Sequence, residues 1–223
     1  MRFLIVDTET CGLNPPPPPA SGVVEVAYVE LDMDTLEVVD EFYSRVNPGC
    51  KISEGASHIH GIYDKDVADC PSLEDVYNIS DAVIHVGHNM NFDLQFLSTR
   101  YENLAGSLCT LALARQYIKD SPNHKLGTLV EHLGLPKGQA HNALADCHMT
   151  AHLLRHIVEK SGRSLQAHIA AARKPKVIQT MPFGKYKGQH IGTLPKWYID
   201  YFADKEIDPD LRYSFDQALR ARI

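Results

Sequence analysis

Three short stretches of this sequence set carboxylates beside apolar runs. Asp7 and Glu9, within Asp7-Thr8-Glu9-Thr10-Cys11-Gly12-Leu13, stand at i and i+2 directly after the run Arg2 to Val6. In an extended chain that spacing sends both side chains from one face. Asp93 follows His88-Asn89-Met90-Asn91-Phe92 and opens a helical pattern. His141 precedes Asp146 by five residues, where the last long helical pattern begins. Five residues span more than one helical turn, so a histidine at the entrance and an acid inside can face one cleft. Carboxylate oxygens suit hard divalent cations. A pair of such ions supplies what phosphodiester hydrolysis needs, neutralised charge around phosphorus and an activated water. An imidazole, with an ordinary pKa of about 6.5, suits a general base at neutral pH. Each stretch alone also has a plainer reading. Asp-x-Glu makes a polar strand end, an acid at a helix N-terminus gains a few tenths of a kcal/mol from the dipole, and a lone histidine beside small residues caps or faces solvent.

Apolar, mostly β-branched runs predict strands over Arg2 to Val6, Val23 to Asp32, Val38 to Val46 and Ala82 to Val86. Five consecutive prolines, Pro15 to Pro19, lie between the first two and read as a stiff polyproline II loop joining a hairpin. Ser72 is a helix N-cap followed by acids in the first turn. Helical spacing covers Phe92 to Tyr101, Leu108 to Tyr117, Leu126 to Leu133 and Asn142 to Lys160, the last with Leu144, Ala151, Leu154 and Val158 on one face. Strands first, then helices mixed with a further strand, give an α/β domain with a mixed sheet over residues 1–160. A basic linker with a short Ala-rich helix is expected at 161–178, and a small C-terminal module at 179–223.

Taken together and in order, Asp7-x-Glu9-Thr10-x-Gly12-Leu13, His88-Asn89-x-x-Phe92-Asp93 and His141-x-Ala143-x-x-Asp146 resemble the three-motif signature of the DEDDh exonucleases, the superfamily of polymerase proofreading subunits, exonuclease X and ribonuclease T. Ile59-His60-Gly61-Ile62 is similar to a segment these enzymes carry between their first two motifs. The resemblance implies a ribonuclease-H-like fold, a mixed five-stranded sheet flanked by helices. It implies two divalent cations, Mg²⁺ or Mn²⁺, on Asp7, Glu9, Asp93 and Asp146, and His141 as the base that takes the proton of the attacking water. Thr8, Thr10, Gly12 and Leu13 would line the pocket of the terminal nucleotide, with His60 and Asn89 as further substrate contacts. Turn chemistry or core packing explains each of these six as well. The pentaproline loop departs from the family pattern, with a polyproline partner site as its rival reading.

The net charge of −6 is segregated. Residues 1–160 hold 11 Lys/Arg against 22 Asp/Glu, and 161–223 hold 11 against 6. From Lys160 to Ile199 there are eight bases and no acid, the footprint expected where phosphates are met, or else a solvated linker. In the C-terminal module, Phe183, Trp197 and Tyr198 are expected to form a core of their own, and Lys185 and Lys187 to contact nucleic acid. This piece is similar to the small domain that follows the nuclease in exonuclease X-like proteins. His148, His152 and His156, four residues apart without an acid among them, predict an exposed helix face rather than a metal stripe. Five scattered cysteines read as reduced and structural. No apolar window is long enough to span a membrane, so a cytoplasmic protein is expected. The implied partner is nucleic acid, single-stranded DNA or DNA 3′ ends, with a DNA polymerase as a further partner. An exoribonuclease and a non-catalytic module holding 3′ ends are the alternatives.

Overall fold

In the computed structural model the described residues are 2–79, 83–97, 107–172, 177–205 and 207–222. Five strands, β1 (Arg2–Thr10), β2 (Val23–Leu31), β3 (Val38–Arg45), β4 (Val83–Gly87) and β5 (Leu108–Cys109), form one sheet in the order β3-β2-β1-β4-β5. The β1–β2 and β2–β3 pairs are antiparallel, and β1–β4 and β4–β5 are parallel. This is the mixed five-stranded, ribonuclease-H-like sheet that was expected.

Helices α1 (Glu54–His60), α2 (Asp64–Val67), α3 (Leu73–Val76), α4 (Met90–Leu97), α5 (Thr110–Tyr117), α6 (Leu126–His132), α7 (Ala143–Ser161) and α8 (Leu165–Ala172) complete the larger of two compact units, which runs from Met1 to Ala171. Side chains alternate across a strand. Phe3 and Ile5 of β1, with Ala27 and Val29 of β2, therefore pack against Ala143, Cys147, Ala151 and Leu154 of α7. Leu4 and Val6 face the other way, onto Tyr77 and onto Phe96 and Leu97 of α4. The sheet centre is covered on both faces, which is why β1 and β2 read as nearly unbroken apolar runs. Helix α8 adds Leu165 and Ile169 to the α7 side.

Strand, helix and loop details differ from the sequence expectation. Strand β1 runs on to Thr10, because residues 7–10 keep their ladder to β2 as far as Thr10↔Val23 although the hydrophobic signal stops at Val6. The run Leu108 to Tyr117 splits into the two-residue strand β5 and α5. The proline loop is not a continuous polyproline helix, for it bends at Pro17 and turns at Pro18-Pro19. Ala82, the end of the helix expected through Tyr101, and Arg173 to Lys176 lie outside the described residues. The five cysteines are free, and Cys50 Sγ donates to Cys11 Sγ at 3.1 Å.

The second unit, Ala172–Ile223, holds a Thr180–His190 bridge, a short 3-10 turn at Ile191–Thr193 and helices α9 (Lys196–Asp200) and α10 (Pro209–Arg220). Its core is Met181, Ile191, Leu194, Tyr198, Ile199, Phe202, Leu211 and Phe215. Of the three aromatics expected inside, only Tyr198 is buried; Phe183 is 43% and Trp197 58% exposed. Phe202 and Phe215 take their place, because α9 and α10 turn those rings inward.

Candidate active site

Asp7 and Glu9 share the parity of Phe3 and Ile5 on β1, so they emerge on the α7 side of the sheet. Asp146 stands in the first turn of α7. Asn142 caps that helix by accepting the Ala145 N–H at 3.1 Å, and the Asp146 carboxylate reaches back to accept the His141 N–H at 3.1 Å. His141 itself has a left-handed φ of 60°, which turns the chain into the helix. The ligand-capable atoms of Glu9, His141 and Asp146 all lie within 4.8 Å of one another. Asp93 arrives from α4 on the opposite face and is 4% exposed. Its Oδ1 accepts both the Thr8 N–H, at 3.0 Å, and the Thr8 hydroxyl, at 2.8 Å.

Charge is concentrated here, and among the described residues none of the four acids forms an ion pair with Lys or Arg. Burial, reinforced by Asp93, Asp146 and Glu9, pushes the Asp7 carboxyl well above the usual range. Burial and the charges of Asp146, Glu25 and Asp93 raise Glu9 to about 8. Asp93 is raised to about 7 by burial, although the Thr8 bonds pull the other way. Asp146 is raised to about 6 by burial, opposed by the His141 N–H. Carboxyls that resist ionising together are a donor set matched to cations of high charge, which would remove both the repulsion and the desolvation cost. The residues therefore fit the divalent ions expected of them.

Two cavities are lined in part by these acids. One, of about 430 Å³, is lined by Glu9, Thr10, Gly12, Leu13, His60 and Phe92. Leu13 is 80% exposed at its rim. A Cβ added to Gly12 would meet only Ser53 Oγ at 3.8 Å, so the protein's own packing does not require glycine there. His60 Nδ1 accepts the Ile62 N–H at 3.0 Å, which assigns the proton to Nε2, 3.3 Å from Thr10 O. Burial lowers the His60 pKa. Thr10 spends its hydroxyl on Gly12 O at 2.8 Å, and Thr8 is turned away to Asp93 and does not line this cavity. The other cavity, of about 1000 Å³, holds Asp7, Asn89, His141 and Asp146 together with Arg115 and Lys125. Asn89 has a φ of 77° and turns the chain from β4 into α4. Lys185 and Lys187 belong to the second unit and are exposed.

Several neighbours of the acids carried no signal in the sequence. Glu25 on β2 lies opposite Glu9 in the β1–β2 register and is 3% exposed. It accepts the Ala143 N–H at the start of α7, at 3.2 Å, accepts the Tyr43 hydroxyl, and lies 3.9 Å from Arg45. An acid inside the apolar run Val23 to Leu31 was the one available hint. Arg115 and Lys125 come from α5 and the loop before α6, and nothing in their spacing announces a shared groove. His88 is structural, bridging Thr110 Oγ1 and His124 O at 3.0 and 2.8 Å. The α7 histidines are half-buried rather than exposed, since α7 packs along most of its circumference, and His148 pairs with Glu41 at 3.0 Å. They form no metal group among the described residues. Among those residues, no helix is long and apolar enough to cross a membrane.

Residues 4–154 match the exonuclease family RNase_T, and residues 174–210 match a family described as a putative quorum-sensing-regulated virulence factor. Exodeoxyribonuclease 10 of Escherichia coli is 35% identical over 195 residues, covering 85% of this chain and 84% of that protein. A PolC-type DNA polymerase III of Oceanobacillus iheyensis is 33% identical over 168 residues, 71% of this chain but 11% of the polymerase. The structure of exonuclease X in complex with 5′ overhanging duplex DNA superposes with a TM-score of 0.63 at 33% identity, covering 77% of this chain and 99% of that one. The chain belongs to the DEDDh exonucleases, and is a 3′→5′ exonuclease.

Proposed function

We propose that the chain removes nucleotides one at a time from DNA 3′ ends, releasing nucleoside 5′-monophosphates, with two divalent cations, Mg²⁺ or Mn²⁺, held by Asp7, Glu9, Asp93 and Asp146. The observation that carries this reading is the convergence of Glu9, His141 and Asp146 within 4.8 Å, beside the carboxyls of Asp7 and Asp93, which burial holds above the usual carboxylate range. When bound, the ions neutralise the carboxylates and stabilise charge developing on the phosphate and on the leaving oxygen. His141, exposed at the mouth, accepts the proton of the attacking water. Asp146 fixes the backbone of His141, and Thr8 fixes Asp93. Leu13 and Phe92 offer apolar surface to the terminal base, and Arg115 and Lys125 give the phosphates cationic neighbours. The names of the relatives, an exodeoxyribonuclease and an exonuclease bound to overhanging duplex DNA, support DNA as the substrate. A PolC-type relative supports a DNA polymerase as partner in repair or proofreading.

The test is degradation of matched 5′-labelled DNA and RNA oligonucleotides with Mg²⁺, Mn²⁺ or EDTA, by wild type, Asp7→Ala and His141→Ala. A 3′-shortening ladder on DNA that needs metal and fails in both variants is expected. A ladder on RNA alone would make the enzyme an exoribonuclease. Binding of DNA without cleavage would make it a module that holds 3′ ends.

A further inference from the structure

The small C-terminal unit has its own buried aromatic core and yet leaves three large rings outside it. Phe183 is 43%, Trp197 58% and Tyr201 60% exposed. Trp197, in the first turn of α9, and Tyr201, its C-cap residue in helical conformation, lie four residues apart and so stand on one face, one helical turn from each other. Behind them the rings are braced: Trp197 meets Tyr198 edge-on at 5.7 Å, Tyr201 meets Phe202 at 5.1 Å, and Phe183 meets Phe202 at 5.9 Å. Cations border the same rings. Lys185 Nζ lies 5.7 Å from the Trp197 ring centre, and Lys205 Nζ 4.4 Å from that of Tyr201. The loop that carries Lys185 is set tightly on this cluster. Gly184 has a φ of 72°, and a Cβ there would stand 2.7 Å from Tyr198 Oη. Asp200, the acid of α9, is neutralised by Lys196 at 2.7 Å. Lys185 and Lys187 are exposed and have no ion-pair partner among the described residues.

Exposed rings, braced from behind and bordered by ammonium groups, fit one ligand chemistry: unstacked bases on a polyanionic backbone. Duplex hides its base faces, so a duplex could use only the lysines. We infer that Phe183, Trp197 and Tyr201, with Lys185, Lys187 and Lys205, form a second nucleic-acid site that takes single strands by stacking. The inference rests on the reading of the chain as an enzyme of nucleic acids, and deepens it by giving the appended unit a substrate-holding role.

Trp197 is the only tryptophan of the chain, so its emission reports on this site alone. The full chain, kept in EDTA so that no strand is cut, is titrated with oligo(dT), oligo(U) and a DNA duplex, each about a dozen nucleotides long, while anisotropy of a labelled copy measures total binding. Saturable quenching of Trp197 by the single strands, weakened by salt, with little response to duplex, is expected. Lys185→Ala/Lys187→Ala and Tyr201→Ala should each weaken single-strand binding about tenfold, whereas Trp197→Phe, which keeps a ring, should bind nearly as wild type. All four side chains are exposed, so melting temperature checks that the variants fold. Anisotropy that shows binding while Trp197 emission stays unchanged, or variants that bind as tightly as wild type, overturns the inference. Cleavage of a trinucleotide with metal separates the two readings. A chain that quenches on single strands but never cuts them keeps this site and loses the proposed reaction, and one that cuts without quenching does the reverse.

Discussion

Glu9→Gln should stabilise the metal-free protein, by an amount that grows as pH rises from about 4.5 to about 8. The substitution keeps the size and shape of the side chain and removes its charge. In the fold the Glu9 carboxyl is raised from 4.5 to about 8, first by burial and then by Asp146, Glu25 and Asp93. Between those two values the folded protein holds a proton that the unfolded chain has released. Stability therefore falls as pH rises through this window, and the whole penalty is present above about pH 8. At about 1.36 kcal/mol per pKa unit, a shift of about 3.5 units sets a ceiling of roughly 5 kcal/mol. The neighbouring acids share that repulsion and water reaches the site, so a net gain of about 2 kcal/mol is expected, or about 5 °C in Tm for a unit of this size. The assay is calorimetry in EDTA at about pH 5 and pH 8.5 on wild type and variant. Their difference cancels the buried histidines, which slope the other way. At pH 8.5 the variant should melt higher, and at pH 5 the two should nearly coincide. Saturating Mn²⁺ should reverse the order, since a ligand at a hundred times its Kd adds about 2.7 kcal/mol to the protein that still binds it. A variant that melts lower at pH 8.5 in EDTA, or gains equally at both pH values, refutes the electrostatic account of this site.

Other consequences follow from neighbouring groups. Burial lowers His85, 5% exposed on β4, to about 4, so the unfolded chain binds the extra proton and stability is lost as pH falls from about 6.5 towards 4; His85→Leu should remove roughly 3 kcal/mol of that acid-side slope in urea titrations. Glu25→Ala leaves the Ala143 N–H and the Tyr43 hydroxyl without their acceptor and should cost about 2–4 kcal/mol, with weaker Mn²⁺ binding and lower kcat, while Glu25→Gln, which keeps an acceptor, should restore most of both. Gly22, at φ 73°, lies where an added Cβ would overlap Pro16 Cδ and stand 3.2 Å from the Phe96 ring, so Gly22→Ala should cost about 2–4 kcal/mol in denaturant melts by prising the proline loop from the core.

The acids were legible because each one interrupts an apolar element, and their grouping was legible because three such interruptions occur in a family's order. What stayed hidden depends on register and on tertiary packing. Glu25 is opposite Glu9 only because β1 and β2 pair with Glu9 against Glu25, and a one-residue slip would have turned it to the other face. The extension of β1 through Asp7 and Glu9 is held by backbone bonds that hydrophobicity does not report. Trp197 was expected inside because large aromatics usually are, but Phe202 and Phe215, which sequence spacing did not single out, already fill that core.

The placement of charge links the site to the second unit. Residues 1–160 carry twice as many acids as bases, so at long range they repel the polyanion that the acids at their centre are built to cut. Cations at the site and the local bases Arg115 and Lys125 correct this only at close quarters, because screening at physiological salt confines them to about 8 Å. Attraction from further away has to come from residues 161–223, where bases exceed acids. A chain cut after Ala172, which keeps α8 on the nuclease core, should therefore keep its kcat on short oligonucleotides and lose affinity for long single strands, most visibly at low salt. Equal KM values for long strands with and without the segment at low salt would mean that the basic module is not what brings the substrate to the site.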